Sequence, residues 1–474
     1  MARTWATLPA GDPTGSGVDL HVEVGGTSGV RKGLTDALRE AVRSGRLTPG
    51  TRLPSSRTLA VDLGIARNTV ADAYADLVAE GWLTARQGSG TRVAERAVPS
   101  PVAAPTPRRR PGPAAYSLRP GSPDLGSFPR AEWLKAARRA LADAPNEAFG
   151  YGDPQGRVEL RTALAGYLAR ARGVYAEPDR IVICSGVVHG LMLLAKVLRA
   201  RRVREIAVES YGLHVQWPRL TEAGLRLSAL PVDELGADTG ELAAKRVGAV
   251  LLTPAHQFPT GVPLSPGRRA AAVAWARAGD GLIIEDDYDG EFRYDRQTVG
   301  ALQGLDPDRV VYLGTASKSL APGLRLGWMV LPSWLAAQVA EAKGESDWAC
   351  GVTDQLTLAE FLNSGAYDRH VRAARLRYRR RRDQLVAALA ERAPGVTVSG
   401  IAAGLHAVVE LPDGTEQSAI RAAAWHGLSV AGLSGFRHPD AVTRRSDALV
   451  VGYGTPPDHA WAGALDALCG ALSP

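Results

Sequence analysis

The sequence predicts a multi-domain protein, with a small α+β domain followed by a larger α/β domain. Its 474 residues exceed what one hydrophobic core usually serves. Residues 96–115 are rich in Pro and Arg, which is typical of an extended linker. Helical patterns precede this linker, whereas short apolar runs alternate with helical patterns after it. We therefore expect a first domain over residues 20–95 and a second over residues 116–474.

The composition favours a soluble cytoplasmic protein that binds nucleic acid. Cys184, Cys350 and Cys469 are far apart, so neither a disulfide framework nor a metal site is expected. No stretch approaches the roughly 18 apolar residues of a membrane span, and residues 1–11 lack the basic region and apolar core expected of a secretion signal. The net charge is +7, and residues 1–115 hold 15 Arg or Lys against 10 Asp or Glu. This excess favours contact with phosphates.

The first domain carries the pattern of three helices and a hairpin. Apolar residues recur at helical spacing over residues 30–42. Ser55 is a favourable N-cap for a second helix, which ends at Gly64. A third helix is expected over residues 67–80, so only a short turn separates it from the second. This spacing predicts a helix-turn-helix, and the glycine-rich segment 82–93 predicts a hairpin that forms a wing.

The residues of this domain that would face DNA follow from its arrangement. The first residues of a recognition helix contact base edges, and basic residues beside the helix pair contact phosphates. A glycine at the wing tip lets the backbone approach a phosphate closely. Any single arginine is equally well explained as a solvated surface charge, but the assembled arrangement favours DNA binding. The candidate DNA-binding residues are Arg52, Arg57, Arg67, Asn68, Thr69 and Gly88.

In the second domain, polar residues follow several predicted buried strands. Residues 285–289 form an acidic cluster after one strand, the segment Gly-Thr-Ala-Ser leads to Lys318 after another, and Ser185-Gly186 follows a third. Ligands of an open α/β sheet bind at the carboxyl ends of its strands, so a site is expected there. The predicted strands are Arg180–Cys184, Ile206–Val208, Ala249–Leu252, Leu282–Ile284 and Val310–Leu313.

Lys318 is the candidate for covalent attachment of a cofactor. Only six of the 56 basic residues are lysines, so this one is less readily explained as general surface charge. Pyridoxal 5'-phosphate requires a lysine for its Schiff base, a carboxylate for its pyridine nitrogen and an anion site such as a helix N-terminus for its phosphate. Each signal is weak by itself, since a lone lysine after a strand is usually structural. Together they predict this cofactor.

Both domains resemble known families. Residues 34–93 resemble the winged-helix domain of the GntR regulators, notably in LPSSRTLAVDLGIARNTV. From about Leu118 onward the chain resembles the fold type I aminotransferases, whose α/β fold carries a smaller C-terminal subdomain. A GntR-type domain joined by a Pro-rich linker to such a domain is the arrangement of the MocR regulators. The motifs that carry the second resemblance are YGDPQG from Tyr151, Ser185-Gly186, TPAHQFPTG from Thr253, EDDY from Glu285 and TASKSLAPGLR from Thr315.

The resemblance implies roles for individual residues and a set of partners. Lys318 would form the Schiff base, Asp286 would pair with the pyridine nitrogen and Tyr288 would hydrogen-bond the ring oxygen. Tyr151 would reach the site of the partner subunit in a head-to-tail homodimer. The other partners would be double-stranded operator DNA and an effector, which is pyridoxal phosphate, an amino acid or a small amine. The phosphate would be held by Ser185, Gly186, Val187, Thr315 and Arg325.

Two segments depart from the pattern of catalytic aminotransferases. Val450 stands where an arginine usually clamps the substrate carboxylate. The segment ESYGLH from Glu209 replaces the usual one that stacks an aromatic ring on the cofactor, and whether Tyr211 stacks instead stays open. These departures disfavour efficient transamination of α-amino acids and favour the cofactor itself or a small amine as effector. The arginines that could replace the missing clamp are Arg437, Arg444 and Arg445.

Three functions are consistent with these features. The favoured one is a transcriptional regulator that senses pyridoxal phosphate or its adduct with an amino compound. The second is a pyridoxal phosphate-dependent aminotransferase with an auxiliary DNA-binding domain, which measurable turnover of an amino donor would support. The third is a regulator that has lost the cofactor, and the retention of Lys318, Asp286 and Tyr288 argues against it.

Overall fold

The computed structural model describes residues 29–86, 90–95, 114–294, 299–442 and 446–473. The chain divides into two compact units, residues 1–110 and residues 111–474, which we call the head and the body. Among the described residues, no helix is both long enough and apolar enough to cross a membrane.

The head consists of three helices and a two-stranded hairpin. Apolar side chains from all three helices and both strands form one buried core, since they recur on the inner face of each element. The strands pair antiparallel, with Leu83 opposite Val93. This is the predicted winged helix-turn-helix. Its elements are α1 (Val30–Arg43), α2 (Ser56–Leu63), α3 (Arg67–Ala79), β1 (Leu83–Arg86) and β2 (Gly90–Val93).

Local chemistry sets the turn between α2 and α3. Ser55 caps α2, because its hydroxyl accepts a hydrogen bond from a backbone amide of the first turn at 3.1 Å. Gly64 ends α2 with a φ of 64°, a left-handed conformation that glycine adopts without strain. Ala66 precedes α3 without a side-chain cap. The Tyr74 hydroxyl donates to the Pro54 carbonyl oxygen at 3.0 Å, and this bond fixes α3 against the start of α2.

Strands and helices alternate along most of the body. The first half contains β3 (Tyr116–Ser117), α4 (Arg130–Asp143), α5 (Val158–Arg172), β4 (Ile181–Cys184), α6 (Val187–Ala200), β5 (Glu205–Glu209), α7 (Gln216–Glu222), β6 (Arg226–Leu230), β7 (Val232–Asp233), β8 (Gly236–Ala237), β9 (Ala249–Leu252) and α8 (Pro266–Gly279). The second half contains β10 (Leu282–Asp286), β11 (Val310–Thr315), β12 (Gly327–Val330), α9 (Ser333–Gly344), α10 (Val352–Asn363), α11 (Ala366–Arg392), β13 (Thr397–Ser399), β14 (Ala407–Glu410), α12 (Glu416–Trp425), β15 (Leu428–Ser429), β16 (Ala431–Gly432), β17 (Ala448–Val451) and α13 (Trp461–Leu472).

The large sheet of the body has the strand order β4-β12-β11-β10-β9-β5-β6. It contains all five predicted strands, and β5, β9, β10 and β11 run parallel to one another. Two further strands, β6 and β12, were not predicted. Strand β12 is antiparallel to both of its neighbours, so the sheet is mixed. Because the strand residues are buried on both faces, apolar clusters lie on either side of the sheet.

A smaller antiparallel sheet, β13-β14-β17-β16, lies in the C-terminal part of the body. Its apolar side chains pack with those of α11, α12 and α13 in a separate cluster. Strand β3, at the start of the body, pairs with β15 and so joins this part of the fold. The sheet and its helices form the smaller C-terminal subdomain that was expected.

Candidate cofactor site and nucleic-acid interface

A cavity of about 220 Å³ lies where β5, β9, β10 and β11 end, at the carboxyl edge of the large sheet. The first turn of α6 and the segment after β11 complete its wall. Parallel strands bring their carboxyl ends to one edge, which is why motifs more than 100 residues apart in the chain meet there. The predicted residues that line the cavity are Gly186, Val187, Tyr211, Asp286, Tyr288, Thr315, Lys318 and Arg325.

Two of the predicted cofactor residues are not part of this lining. Ser185 adjoins the cavity, because its carbonyl oxygen accepts a hydrogen bond from Arg325. Tyr151 is 90% exposed, and its backbone carbonyl oxygen accepts a hydrogen bond from the Trp348 indole at 2.9 Å. The Tyr151 ring therefore takes no part in the cavity of its own chain.

Asp286 places a buried carboxylate at the floor of the cavity. Gln216 Nε2 donates to Asp286 Oδ2 at 3.1 Å, whereas Asp286 Oδ1 is buried and has no hydrogen-bond partner. Burial raises the pKa of this carboxyl to about 7, although Gln216 and the nearby Lys318 act to lower it. An unpaired buried oxygen is costly, so the site is suited to a ligand that brings a donor to Oδ1. A protonated pyridine nitrogen is such a donor.

Lys318 is the amine that faces this carboxylate. It follows β11, and its Nζ donates to the Gly121 carbonyl oxygen at 2.5 Å. Burial lowers the pKa of Lys318, while the charges of Asp286 and Asp289 oppose that shift. A lowered pKa increases the fraction of neutral amine, which is the nucleophilic form.

The opposite end of the cavity is suited to an anion. Gly186, with a φ of 93°, precedes α6, and a Cβ placed on it would lie 3.3 Å from the Arg325 guanidinium. Glycine thus allows the arginine to approach the N-terminus of α6, where backbone amides point outward. The Thr315 hydroxyl lies 2.8 Å from that of Ser317, so two hydroxyls adjoin the same end. A guanidinium, helix amides and hydroxyls together match a phosphate.

The acidic run at the end of β10, residues 285–289, divides into two sets, because successive residues of an extended chain face opposite sides. Asp286 and Tyr288 line the cavity, whereas Glu285 and Asp287 point away from it. Glu285 accepts two backbone amide hydrogen bonds, and Asp287 forms a buried ion pair with Arg172 at 2.7 Å. Only two of the five residues 285–289 therefore line the cavity.

Tyr288 contacts a buried pair that was not predicted as part of the site. Its hydroxyl lies 3.0 Å from His256 Nδ1, which lies 2.9 Å from Asp289 Oδ2. Burial raises the pKa of Tyr288 well above its usual value, so this hydroxyl keeps its proton. His256, Asp289 and His406 are also the one group of three side chains, among the residues described, whose potential metal-ligating atoms lie within 4.8 Å of one another.

Several residues of the cavity wall were not predicted. Gln216 of α7, His406 next to β14 and Glu209 of β5 all line it. Glu209 accepts hydrogen bonds from Thr253 and Gln257, and burial raises its pKa to about 7. The motif around His256 is one of those that carry the family resemblance. No local signal marks Gln216 or His406, because tertiary packing brings them to the site.

Val450 is fully buried in an apolar environment. It pairs with Val408 of β14 and Ala431 of β16, and it belongs to the apolar cluster that contains Tyr211 and Phe258. Tyr211 is itself buried, and its ring lies in this cluster and in the cavity wall. The strand position that could hold a carboxylate-binding arginine is therefore part of the hydrophobic core.

Of the three arginines proposed as substitutes, only Arg437 lies within the described residues, and it does not line the cavity. Arg437 donates a hydrogen bond to the Ala441 carbonyl oxygen. Arg444 and Arg445 lie outside the described residues. Among the residues that the structure describes, Lys318 and Arg325 are the basic side chains of the lining other than histidine.

On the head, five of the six candidate DNA-binding residues lie in the described part of the chain, and all five are at least partly exposed. Arg52, Arg57, Arg67 and Asn68 are exposed and Thr69 is half-buried, whereas Gly88 lies outside the described residues. Arg67, Asn68 and Thr69 form the first turn of α3, and the Arg52 guanidinium lies beside Gly90 of the hairpin.

Other arginines of the head have structural partners. Arg31 and Arg39 of α1 pair with Asp76 and Glu80 at the end of α3. Within the described part of the chain, no ion pair involves Arg52, Arg57 or Arg67. The charges of these three arginines are thus available to an anionic partner.

Both units match known families. Residues 31–93 match the family described as bacterial regulatory proteins, gntR family, and residues 120–438 match aminotransferase class I and II. The chain is 35% identical to the HTH-type pyridoxine biosynthesis transcriptional regulator PdxR of Corynebacterium glutamicum, over 89% of this chain and 91% of that protein. It is 31% identical to the probable rhizopine catabolism regulatory protein MocR of Rhizobium meliloti, over 85% and 86% of the two chains.

The body is also similar to solved aminotransferase structures. The kynurenine aminotransferase of Pyrococcus horikoshii, solved in complex with PMP, has a TM-score of 0.67 and 26% identity, and the match covers 75% of this chain and 90% of that one. These similarities confirm the predicted fold class and support pyridoxal 5'-phosphate as the cofactor.

Proposed function

Because the chain belongs to the MocR-type transcriptional regulators, which join a GntR DNA-binding domain to an aminotransferase-like domain, we propose that the body is a sensor of pyridoxal phosphate or of its adduct with a small amine. The observation that carries this proposal is the partnerless Oδ1 of Asp286 in a cavity that also holds Lys318 and an anion-binding end. Occupancy of that cavity would change the affinity of the head for its operator. The proposed site of action is the cytoplasm, where the operator DNA is accessible.

Each end of the cofactor has a proposed partner in the cavity. Lys318 would attach it covalently, Asp286 would hold the pyridine nitrogen protonated, and Tyr288 would donate to the ring oxygen. When bound, the cofactor supplies an aldehyde that captures amines and a ring that withdraws electrons. Tyr211, which lies in the wall, is the proposed stacking ring. The proposed phosphate ligands are Ser185, Gly186, Val187, Thr315 and Arg325.

The apolar setting of Val450 defines the proposed class of effector. A substrate carboxylate needs a charge-assisted partner once it leaves water. Val450 lies in the hydrophobic core and cannot provide one. We therefore propose that the effector is the cofactor itself or an amine that does not depend on a carboxylate clamp.

We also propose that the protein acts as a head-to-tail homodimer on double-stranded DNA. The exposed Tyr151 ring supports this proposal, because it is free to reach a partner subunit. On each head, Arg67, Asn68 and Thr69 would read base edges, while the basic residues Arg52 and Arg57 and the wing backbone at Gly88 would contact phosphates.

An aminotransferase with an auxiliary DNA-binding head is the second candidate. It is favoured by one observation, namely that Lys318, Asp286 and Tyr288 all line one cavity. Turnover of an amino donor by the purified protein would support this reading, and the absence of turnover across a panel of donors would exclude it.

The deciding experiment combines spectroscopy with DNA binding. The absorbance spectrum of the protein with pyridoxal phosphate is recorded first, and operator binding is then titrated with and without the cofactor. A cofactor band with an altered operator affinity supports the sensor. A band with unchanged affinity, also in the presence of a panel of amines, contradicts it.

A further inference from the structure

The buried pair behind Tyr288 has a geometry that the proposed function leaves unused. His256 Nδ1 lies 2.9 Å from Asp289 Oδ2 and 3.0 Å from the Tyr288 hydroxyl oxygen. His256 and Asp289 are 3% and 2% exposed, and neither lines the cavity. Tyr288 does line it. The hydrogen bonds of the pair therefore reach the site through the tyrosine.

The identity of these atoms limits where the protons are. A carboxylate only accepts hydrogen bonds, so the short contact with Asp289 favours a proton on His256 Nδ1. A protonated Nδ1 is a donor, and it then shares its hydrogen between the Asp289 carboxylate and the Tyr288 oxygen. The Tyr288 oxygen accepts in this arrangement, so its own proton is free to point elsewhere. Without the Asp289 carboxylate, His256 Nδ1 could instead accept a hydrogen bond from the Tyr288 hydroxyl. The Tyr288 proton would then point away from the cavity.

The surrounding backbone holds this pair in place. A Cβ on Gly404, whose φ is 71°, would lie 2.3 Å from His256 Cε1 and 2.5 Å from Asp289 Oδ2. Only glycine allows the chain to pass so close. The Tyr453 hydroxyl donates to the Gly404 carbonyl oxygen at 2.8 Å, which anchors that segment. The His256 ring also packs against His406, with centroids 5.0 Å apart.

We propose that His256 and Asp289 are positioning residues, which direct the Tyr288 hydroxyl proton into the cavity and toward the ring oxygen of the cofactor. This inference rests on the proposed function, since it assumes that the cofactor occupies the cavity. A hydrogen bond to the ring oxygen stabilises its anionic form and so lowers the pKa of the bound chromophore. The pair would thereby determine the protonation state of the bound chromophore near neutral pH, and the protein would bind its effector in that state.

The other titratable groups that act on Tyr288 are Asp286, Glu209 and Tyr453. Lys318 lines the same cavity. The neighbouring His406 is held neutral, because burial lowers its pKa to about 3. Removal of a nearby negative charge stabilises an anionic oxygen and lowers the pKa of the chromophore. Loss of a donated hydrogen bond raises it. In an Asp289 substitution, the lost charge thus lowers the pKa of the chromophore, whereas the lost hydrogen bond raises it. The direction of the measured shift therefore tests the proposal.

The test is the pH titration of the absorbance of the cofactor-loaded full-length protein. Asp289→Ala removes the acceptor of the Nδ1 proton, and it should raise the titration midpoint by about 1 pH unit, the equivalent of one lost hydrogen bond. Asp289→Asn keeps the volume and an acceptor oxygen, so it should raise the midpoint by less. The dissociation constant of the cofactor, a second readout, should increase by about fivefold to tenfold.

Tyr288→Phe supplies the comparison that isolates the mechanism. It should raise the midpoint by itself, and adding Asp289→Ala to it should cause no further rise, since the pair acts through the Tyr288 hydroxyl. A lowered midpoint in Asp289→Ala, or an equal rise in the Tyr288→Phe background, would overturn the inference. Asp233→Ala, which removes a half-exposed carboxylate that pairs with Arg268, is the matched control and should leave the midpoint unchanged.

Two outcomes separate this inference from the proposed function. If no cofactor band forms in the wild-type protein, the proposed function fails. If the band forms and Tyr288→Phe shifts it, while Asp289→Ala does not, only the positioning role fails. A proton-detected nitrogen NMR spectrum of the cofactor-free protein, assigned with His256→Gln, should further show the His256 proton on Nδ1.

Discussion

Gln216 Nε2 and Asp286 Oδ2 form a hydrogen bond of 3.1 Å that satisfies only one of the two carboxylate oxygens. The remaining oxygen is buried and has no partner. The bond fixes the orientation of the carboxyl group, so its free oxygen stays directed at one place in the cavity.

Asp286→Asn should weaken the binding of pyridoxal phosphate by about 10- to 100-fold. An amide cannot form the charge-assisted bond to a protonated pyridine nitrogen, and such bonds contribute about 1.5–3 kcal/mol. Fluorescence or absorbance titration of the cofactor-free protein measures the change. Asp233→Asn at the surface is the control, and an undiminished affinity in Asp286→Asn would refute the assignment of the pyridine partner.

Lys318→Ala should abolish covalent capture of the cofactor while leaving the protein folded. The amine lies in the cavity at the end of β11, and alanine leaves no nucleophile there. Borohydride reduction followed by mass spectrometry measures covalent attachment. Lys196→Ala, which removes a surface lysine paired with Glu345, should retain it. Attachment that persists without Lys318 would show that another lysine is used.

The stability of the cofactor-free body should fall as the pH rises toward neutrality. Burial raises the pKa of four carboxyl groups, those of Glu209, Glu285, Asp286 and Glu291, to about 7. The folded state then holds protons that the unfolded state has released, so this stabilisation is complete below about pH 4 and is lost as the pH rises through about 7.

Urea unfolding of the cofactor-free protein at about pH 5.5 and about pH 8 measures this dependence, with the lower free energy of unfolding expected at the higher pH. Asp286→Asn should reduce the slope, because one of the four groups no longer titrates. A free energy of unfolding of the body that rises over the same interval would show that these carboxyls are ionised in the folded protein.

Val450→Arg should destabilise the body by about 3–5 kcal/mol and should not create aminotransferase activity. The position is fully buried among apolar side chains, and an uncompensated charge there is costly. Val450→Met, which adds length without charge, should cost less. Chemical unfolding measures both. A stable Val450→Arg protein that turns over an amino acid would instead place this position at the edge of the substrate site.

Arg67→Ala should weaken operator binding by about 1–3 kcal/mol and relax its sequence preference, if Arg67 contacts a base edge. Arg57→Ala should weaken binding to all sequences alike and reduce its dependence on salt. Arg43→Ala is the control, because Arg43 pairs with Glu40 on α1. Fluorescence anisotropy at several salt concentrations separates these effects. Unchanged operator binding by Arg67→Ala would show that Arg67 is a solvated surface charge.

The sequence alone was sufficient for the features that depend on short segments. Helical spacing, the Ser55 cap and Gly64 located α2 and α3, because these signals act within a few residues. Motifs with fixed spacing, such as the run that leads to Lys318, identified eight of the residues that line the cavity. Strands β6 and β12 were not identified, because the periodicity of a short run does not by itself distinguish a strand from other structure.

Only the tertiary structure decided which of these residues meet and which face away. Because side chains alternate along an extended chain, Asp286 and Tyr288 face the cavity, whereas Asp287 faces away from it and pairs with Arg172. Gln216 and His406 joined the site from distant elements, and His256 came to lie between Asp289 and Tyr288. Residue types and spacing specify which groups are available to a site. The packing of separate elements determines the distances between these groups, their burial and their partners. These in turn determine the chemistry that each group can perform.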